Sequence, residues 1–167
     1  MRCYLVQHGK SLSKAEDPSR ALTKEGINES TRTSEFLSLI GLSISLIQHS
    51  GKARAQQTAT ILAGCLEGRP EQIKGLAPLD DPELMADLLG ETSHDVMLVG
   101  HLPHLEGLAS ILLTGRADQK PVRFRNSGIV CLERNEDKTW SLVWLITPEL
   151  VGATGGQGTF GDQTSEE

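Results

Sequence analysis

The sequence predicts an α/β fold, a three-layer α/β/α sandwich with a mainly parallel central sheet and an antiparallel hairpin near its C-terminal end. Three observations lead there. The short runs 2–6 and 95–100 are apolar on both faces, as strands buried inside a parallel sheet are. Helix-periodic segments alternate with such runs, the pattern of β-loop-α units. After residue 128 the character changes: two strand-like runs, 128–133 and 140–146, flank the polar stretch 134–138, which reads as a hairpin on the sheet edge.

Each element follows from local chemistry. The strand over 2–6 gives way to a polar, turn-rich stretch, and Thr23, three residues before Gly26, precedes a periodic segment through Phe36, Leu37 and Ile40. Gly41 supplies its stop. Residues 43–48 are rich in Ile and Leu with alternation and predict a second strand, followed by an Ala-rich helix over 53–65. A third short strand is expected at 72–76. An acidic loop with Asp80 and Asp81 then leads into a helix over 82–89 with Pro82 in its first turn. The strand at 95–100 runs through His101-Leu102-Pro103-His104 into an amphipathic helix ending near Gly115. One domain over 1–150 is expected, because from 151 to 167 the chain has almost nothing to bury and reads as a disordered tail.

Composition narrows the function. The formal net charge of -6 disfavours nucleic acid and anionic membrane surfaces, so any bound anion needs a locally basic pocket. Aromatic content of 4% leaves few platforms for base stacking. The N-terminus turns polar at Gln7-His8-Gly9, too early for a signal-peptide core, and no apolar stretch suits a membrane span, so the expected location is the cytoplasm. Cys3, Cys65 and Cys131 are widely spaced without a CxxC and read as small buried hydrophobes.

Three polar clusters stand directly after predicted strands: Gln7-His8-Gly9, His49-Ser50-Gly51-Lys52-Ala53-Arg54 and Gly100-His101. In open α/β sheets the carboxyl ends of the strands form the ligand-binding edge, so these clusters are expected to converge. Two of them open helices, whose N-terminal amides favour an anion, and Arg54 adds a fixed cation. Paired histidines and an arginine around an anion suit phosphoryl transfer. One imidazole attacks phosphorus while the other, with the arginine, neutralises the equatorial oxygens, and neither metal nor cofactor is needed. Taken singly, His8 reads more often as a hydrogen-bonded loop residue than as a catalyst, and Arg54 more often as a surface helix charge than as a ligand. His49 and His104 are read as structural neighbours, and His94 as solvated.

Four ordered stretches carry a family resemblance over about residues 1–150: Gln7-His8-Gly9; Arg20-Ala21-Leu22-Thr23-Lys24-Glu25-Gly26; Ser50-Gly51-Lys52-Ala53-Arg54-Ala55-Gln56-Gln57-Thr58; and Val99-Gly100-His101-Leu102-Pro103. Together they resemble the histidine phosphatase superfamily and, within it, the short SixA-like phosphohistidine phosphatases. Asn126-Ser127-Gly128 resembles the polar turn before the late strand of such chains. The resemblance implies His8 as phospho-acceptor, His101 as transition-state stabiliser, and Arg20 and Arg54 as phosphate ligands beside Gln7. It implies no metal or cofactor, and a substrate that is a phosphohistidine-bearing protein or a small phosphoester.

Gln7 departs from the family pattern, which has Arg there. A glutamine keeps an N–H donor but lacks the charge and the bidentate fork. Lys10 or Lys52 is expected to restore some charge locally, or the chain turns over an intrinsically labile phosphoryl bond, or it serves as a weakly catalytic phospho-binding domain. No inserted segment carries a general acid. Asp80, Asp81 and Glu83 are expected instead to form a helix N-terminal cluster.

Overall fold

The computed structural model describes residues 1–154. Its elements run β1 (Arg2–Gln7), α1 (Lys24–Leu39), β2 (Leu46–His49), α2 (Ala53–Leu66), β3 (Arg69–Gln72), α3 (Pro82–Glu91), β4 (Val96–Gly100), α4 (His104–Thr114), β5 (Ile129–Arg134), β6 (Trp140–Ile146) and α5 (Pro148–Thr154). The six strands form one sheet in the order β3-β2-β4-β1-β5-β6. From β3 to β1 the neighbours are parallel, whereas β5 runs antiparallel to β1 and β6 antiparallel to β5. The sheet is therefore mixed, with the expected hairpin at one edge.

Alternation along the central strands divides the core in two. Cys3 and Leu5 of β1 pack with Met85 and Leu89 of α3 and with Leu105 and Leu108 of α4. Tyr4 and Val6 face the other way, toward Leu37 of α1 and Ala55, Ala59, Leu62 and Leu66 of α2. Because successive strand residues point to opposite faces, a strand apolar at every position needs helices on both sides. The three-layer arrangement satisfies that need. Among the described residues, no helix is long and apolar enough to cross a membrane.

Helix ends behave as their sequences predict. Thr23 caps α1 by accepting the Gly26 N–H at 3.0 Å, and Asp81 caps α3 through the Glu83 N–H at 3.0 Å. Gly115 closes α4 with φ of 73°. Cys3 and Cys131 are buried and Cys65 half-buried, all three as free thiols.

Three boundaries differ from expectation. The second strand is Leu46–His49 rather than 43–48, although Ile44 is still buried. The third strand is Arg69–Gln72 rather than 72–76. Its residues are polar and exposed, and it exists because its backbone pairs with β2, from Leu46↔Arg69 to His49↔Gln72. At a sheet edge, Pro70 is tolerated because its missing N–H can face outward. Finally, α5 carries regular structure to Thr154, past the expected tail boundary at 150, with Val151 buried and the helix in contact with α1. The rest of the expected disordered tail, 155–167, lies outside the described residues.

Candidate active site

The three polar clusters meet at the carboxyl edge of the sheet. Gln7 pairs in register with Gly100, His49 with Val99, and the His8 N–H donates to the Gly100 carbonyl at 3.1 Å. Thus β4, lying between β2 and β1, delivers His101 next to His8, their ring centroids 4.9 Å apart and tilted by 55°. The first residue of the β2–α2 turn joins them: the Ser50 hydroxyl lies 2.6 Å from His101 Nε2.

Hydrogen bonding assigns the tautomer of His8. Its Nδ1 is 2.7 Å from the Gly9 carbonyl, which can only accept, so Nδ1 carries the proton. Nε2 therefore holds the lone pair, and the Arg54 Nε–H donates to it at 3.1 Å. Burial is the main cause that pushes His8 down to about 4. The Gly9 carbonyl opposes the shift, while the charges of Arg54 and Arg20 add to it. Burial likewise lowers His101 to about 3, helped by His8, Arg54, Lys52 and His104. Both rings are neutral near pH 7.

The loop around His8 is held from several directions. Asn126 donates to the His8 carbonyl at 2.8 Å, the Ser127 N–H to the Gln7 carbonyl at 2.9 Å, and the Gly9 N–H to Thr58 Oγ1 at 3.0 Å. Thr58 in turn donates to the Arg54 carbonyl at 2.7 Å, so one hydroxyl links the histidine loop to the arginine's helix. Gly9 permits this closeness: a Cβ there would sit 2.8 Å from Ser30 Oγ and 2.9 Å from the Gly26 carbonyl oxygen. Gln57 Oε1 accepts the Leu22 N–H at 2.7 Å and ties the Arg20 loop to α2.

Arg20 takes a left-handed backbone with φ of 55°, and its Nε–H donates to the Leu12 carbonyl at 3.3 Å. A hydrogen-bonded turn on Asp17, which accepts from the Ser19 and Ala21 N–H groups, supports that conformation. Its guanidinium acts electrostatically on both His8 and Arg54. The site thus has two fixed cations, and burial lowers the pKa of Arg54, with Arg20 adding to the shift.

Gln7 sits at the end of β1 with a buried Oε1 that meets no hydrogen-bond partner among the described residues. Of the two lysines expected to supply charge, Lys10 is committed elsewhere, with Nζ 2.5 Å from Glu25 and 3.1 Å from Glu29 on α1. Lys52 opens α2 beside Ser50, has no ion pair among the described residues, and its charge reaches His101. His49 is structural: its Nδ1 accepts the Gly51 N–H at 3.1 Å. His94 is exposed. His104 begins α4 as a buried residue, and neither ring nitrogen has a partner among the described residues.

Sequence reasoning singled out the histidines and arginines but gave no task to Ser50, Gln57, Thr58, Asn126 or Ser127. All five lay inside stretches already marked by their spacing, and the signal was their hydrogen-bonding capacity next to a glycine loop.

No protein-family model matches the chain. It is 26% identical over 155 residues to the phosphohistidine phosphatase SixA of Escherichia coli (strain K12), covering 89% of this chain and 94% of that one. An uncharacterized protein of Picosynechococcus sp. is 31% identical over 140 residues, covering 79% of this chain and 84% of its own length. Among solved structures, the protein histidine phosphatase SixA complexed with tungstate superposes with a TM-score of 0.78 at 27% identity, over 89% of this chain and 97% of that one. A phosphoserine phosphatase of Entamoeba histolytica in complex with 3-phosphoglyceric acid matches with a TM-score of 0.69 over 89% of this chain and 98% of that one. At 16% identity it speaks for the fold alone. With two neutral histidines facing each other beside Arg54 on a mixed α/β sheet, and with these likenesses along nearly the whole described length, the chain belongs to the histidine phosphatase superfamily, among its SixA-like members.

Proposed function

We propose that the protein is a phosphatase working through a covalent phosphohistidine on His8, with phosphohistidine on another protein as its substrate. One observation carries this reading: the Gly9 carbonyl holds the proton on His8 Nδ1, leaving the Nε2 lone pair beside Arg54. Nε2 attacks phosphorus in line, the N–P bond of the substrate breaks, and the phosphoryl group passes to His8. Arg54 exchanges its bond to Nε2 for phosphoryl oxygens as the attack begins, and Arg20 and His101 add donors around the equatorial oxygens. Water then cleaves the new N–P bond, releasing orthophosphate and restoring His8.

Leaving-group chemistry favours phosphohistidine over an alkyl phosphoester. An imidazole departs with little protonic help, whereas an alkoxide needs a strong general acid. Asp81 is occupied as the cap of α3, and Asp80 accepts the Ala77 N–H at 2.8 Å, so both serve the loop in the way expected of a helix N-terminal cluster. A cytoplasmic setting goes with this reading, as does a single catalytic domain over about 1–150.

A second reading has its own support. Gln7 brings no charge, and Lys10 is engaged by Glu25 and Glu29, so this edge of the site is less cationic than the family pattern and fits a weakly catalytic phospho-binding domain. The deciding experiment incubates wild type, His8→Ala and Gln7→Arg with a phosphohistidine-bearing protein and with phosphoimidazole, with tungstate as competing oxyanion. Phosphate release that His8→Ala abolishes supports the phosphatase. Release by Gln7→Arg but not by wild type supports the binding domain instead.

A further inference from the structure

Gln7 stands between the two histidines of the site. It directly precedes His8 along the chain, and in the sheet it is paired with Gly100, the residue before His101. Alternation along β1 assigns its side chain to the face of Cys3 and Leu5, the side on which α3 and α4 pack. The residue is half-buried, and its enclosed Oε1 meets no donor among the described residues. A buried carbonyl oxygen left without a donor is destabilising, so this position favours a ligand that brings one.

The groups gathered around the histidines are of two kinds. Arg20, Lys52 and Arg54 only donate hydrogen bonds. Gln7, Ser50 and the neutral ring of His101 both donate and accept, and Ser50 Oγ and His101 Nε2 already face each other at 2.6 Å. An arginine at position 7 would join the first kind, with several N–H donors and no acceptor. Glutamine joins the second, because the twofold preference of its last torsion lets it turn either oxygen or nitrogen toward the site. Gln7 thus exchanges a charge for an acceptor. The two ionisation states of a phosphoryl group differ in these same respects. The dianion offers oxygens that only accept and is best met by cations, whereas the monoanion carries one charge less and a P–O–H that needs an acceptor.

We propose that Gln7 sets the ionisation state in which the phosphoryl group is held: singly charged, with one oxygen protonated and its O–H donated to the Gln7 amide oxygen. The inference rests on the reading of this edge as a phosphoryl site and names the substrate class as a phosphoryl monoanion. Lys10 does not reverse the preference, because Glu25 and Glu29 hold its ammonium. The other charged and titratable groups are His8 and Arg20 on the segment after β1, Lys52 and Arg54 at the start of α2, and His101 and His104 after β4, with Asp80 and Asp81 acting on His104. His8 is lowered to about 4 and His101 to about 3, so both rings stay neutral near and above neutrality. Burial also lowers His49 and His104, and His94 lies before β4, at the far end of that strand from His101. The ionisation of the ligand itself is therefore the event that binding reads.

The test is equilibrium binding by calorimetry, of orthophosphate between about pH 6 and about pH 8.5, across its second ionisation, and of tungstate against perrhenate at about pH 7.5. Tungstate and perrhenate are tetrahedral oxyanions of similar size, the first doubly and the second singly charged. Wild type is expected to lose about tenfold in phosphate affinity as the monoanion disappears, and Gln7→Arg less than about twofold. Gln7→Arg should also favour tungstate over perrhenate about tenfold more than wild type does, the scale of one charged hydrogen bond. Gln7→Met is neutral but lacks the acceptor, so it should keep the wild-type ratio of the two oxyanions and lose the pH dependence. Phosphate affinity in wild type that is constant or rises with pH overturns the inference. A wild-type pH profile in Gln7→Met, or no phosphate binding at any pH, overturns it as well. Turnover of phosphoimidazole by the same preparations separates the two readings. Turnover that His8→Ala abolishes, together with a preference for the dianion, removes the role of Gln7 alone, whereas a monoanion preference without turnover removes the phosphatase reading alone.

Discussion

The Nε of Arg54 lies 3.1 Å from Nε2 of His8, so a fixed cation waits on the lone pair that would attack phosphorus. This contact presets the guanidinium within reach of the oxygens that the reaction brings. It also adds to burial, the main cause, in keeping the ring neutral, because a second proton on His8 would face a positive charge. Replacing Arg54 by Lys retains charge but loses the planar fork. The Arg54→Lys variant is expected to lose about 10²- to 10³-fold in kcat, the scale of removing a preorganised transition-state donor. Single-turnover phosphate release from phosphoimidazole checks this, and a loss confined to KM would argue against a role at the transition state.

Charge at the vacated arginine position is the second point. Lys10 is held by Glu25 and Glu29, whereas Lys52 sits beside Ser50 and acts on His101. Lys10→Ala is therefore expected to leave kcat/KM within about twofold, and Lys52→Ala to lower it about tenfold, within the range of one charge at an oxyanion. Introducing Gln7→Arg should shrink the Lys52→Ala effect, since the two cations then serve one phosphoryl group. A double-mutant cycle with strictly additive effects would show that Lys52 does not substitute for the missing charge.

Acid should impair both catalysis and stability. His8 is lowered to about 4 and His101 to about 3, mainly by burial, from ordinary values of 6.5. At pH values between these limits the unfolded chain binds more protons than the folded one, so stability falls as pH drops from 6.5 toward 4 and is flat, for these two groups, above 6.5. The kcat/KM profile should lose activity on its acid side only as pH approaches about 4, where His8 itself protonates. Thermal melts at a series of pH values, for wild type and His101→Gln, measure the stability part. The variant's melting temperature should depend less on pH over that window.

Close backbone packing gives a structural prediction. At Gly26 an added Cβ would collide with the Lys10 carbonyl oxygen, and at Gly9 it would stand 2.9 Å from the Gly26 carbonyl oxygen. Neither obstacle is a flexible side-chain end. Gly26→Ala should destabilise by about 1–3 kcal/mol, the usual cost of overpacking, and lower the melting temperature by several degrees. It should also reduce kcat, because the Lys10 backbone it displaces is joined to His8 through Gly9. By contrast, Gly64→Ala on α2, where nothing lies within 4 Å of the added Cβ, should be neutral or stabilising.

Local signals were legible where local physics decides. The caps Thr23 and Asp81, the stop at Gly115 and the doubly apolar strands β1 and β4 follow from side-chain chemistry within a few residues. The edge strand β3 was misplaced because nothing in Arg69-Pro70-Glu71-Gln72 has strand periodicity and only pairing to β2 makes it one. The helix α5 was missed for the same reason, since it packs only once α1 is in place.

By itself, the sequence determined the α/β class, the edge to which His8, Arg54 and His101 belong, and the absence of charge at Gln7. These depend on residue types, their spacing and the rule that parallel strands present their carboxyl ends to ligands. Only the tertiary structure decided which nitrogen of His8 is free, which lysine is neutralised and how Thr58 couples the histidine loop to α2. Those outcomes rest on hydrogen bonds and ion pairs between segments far apart in sequence, whose energies exist only at contact distance.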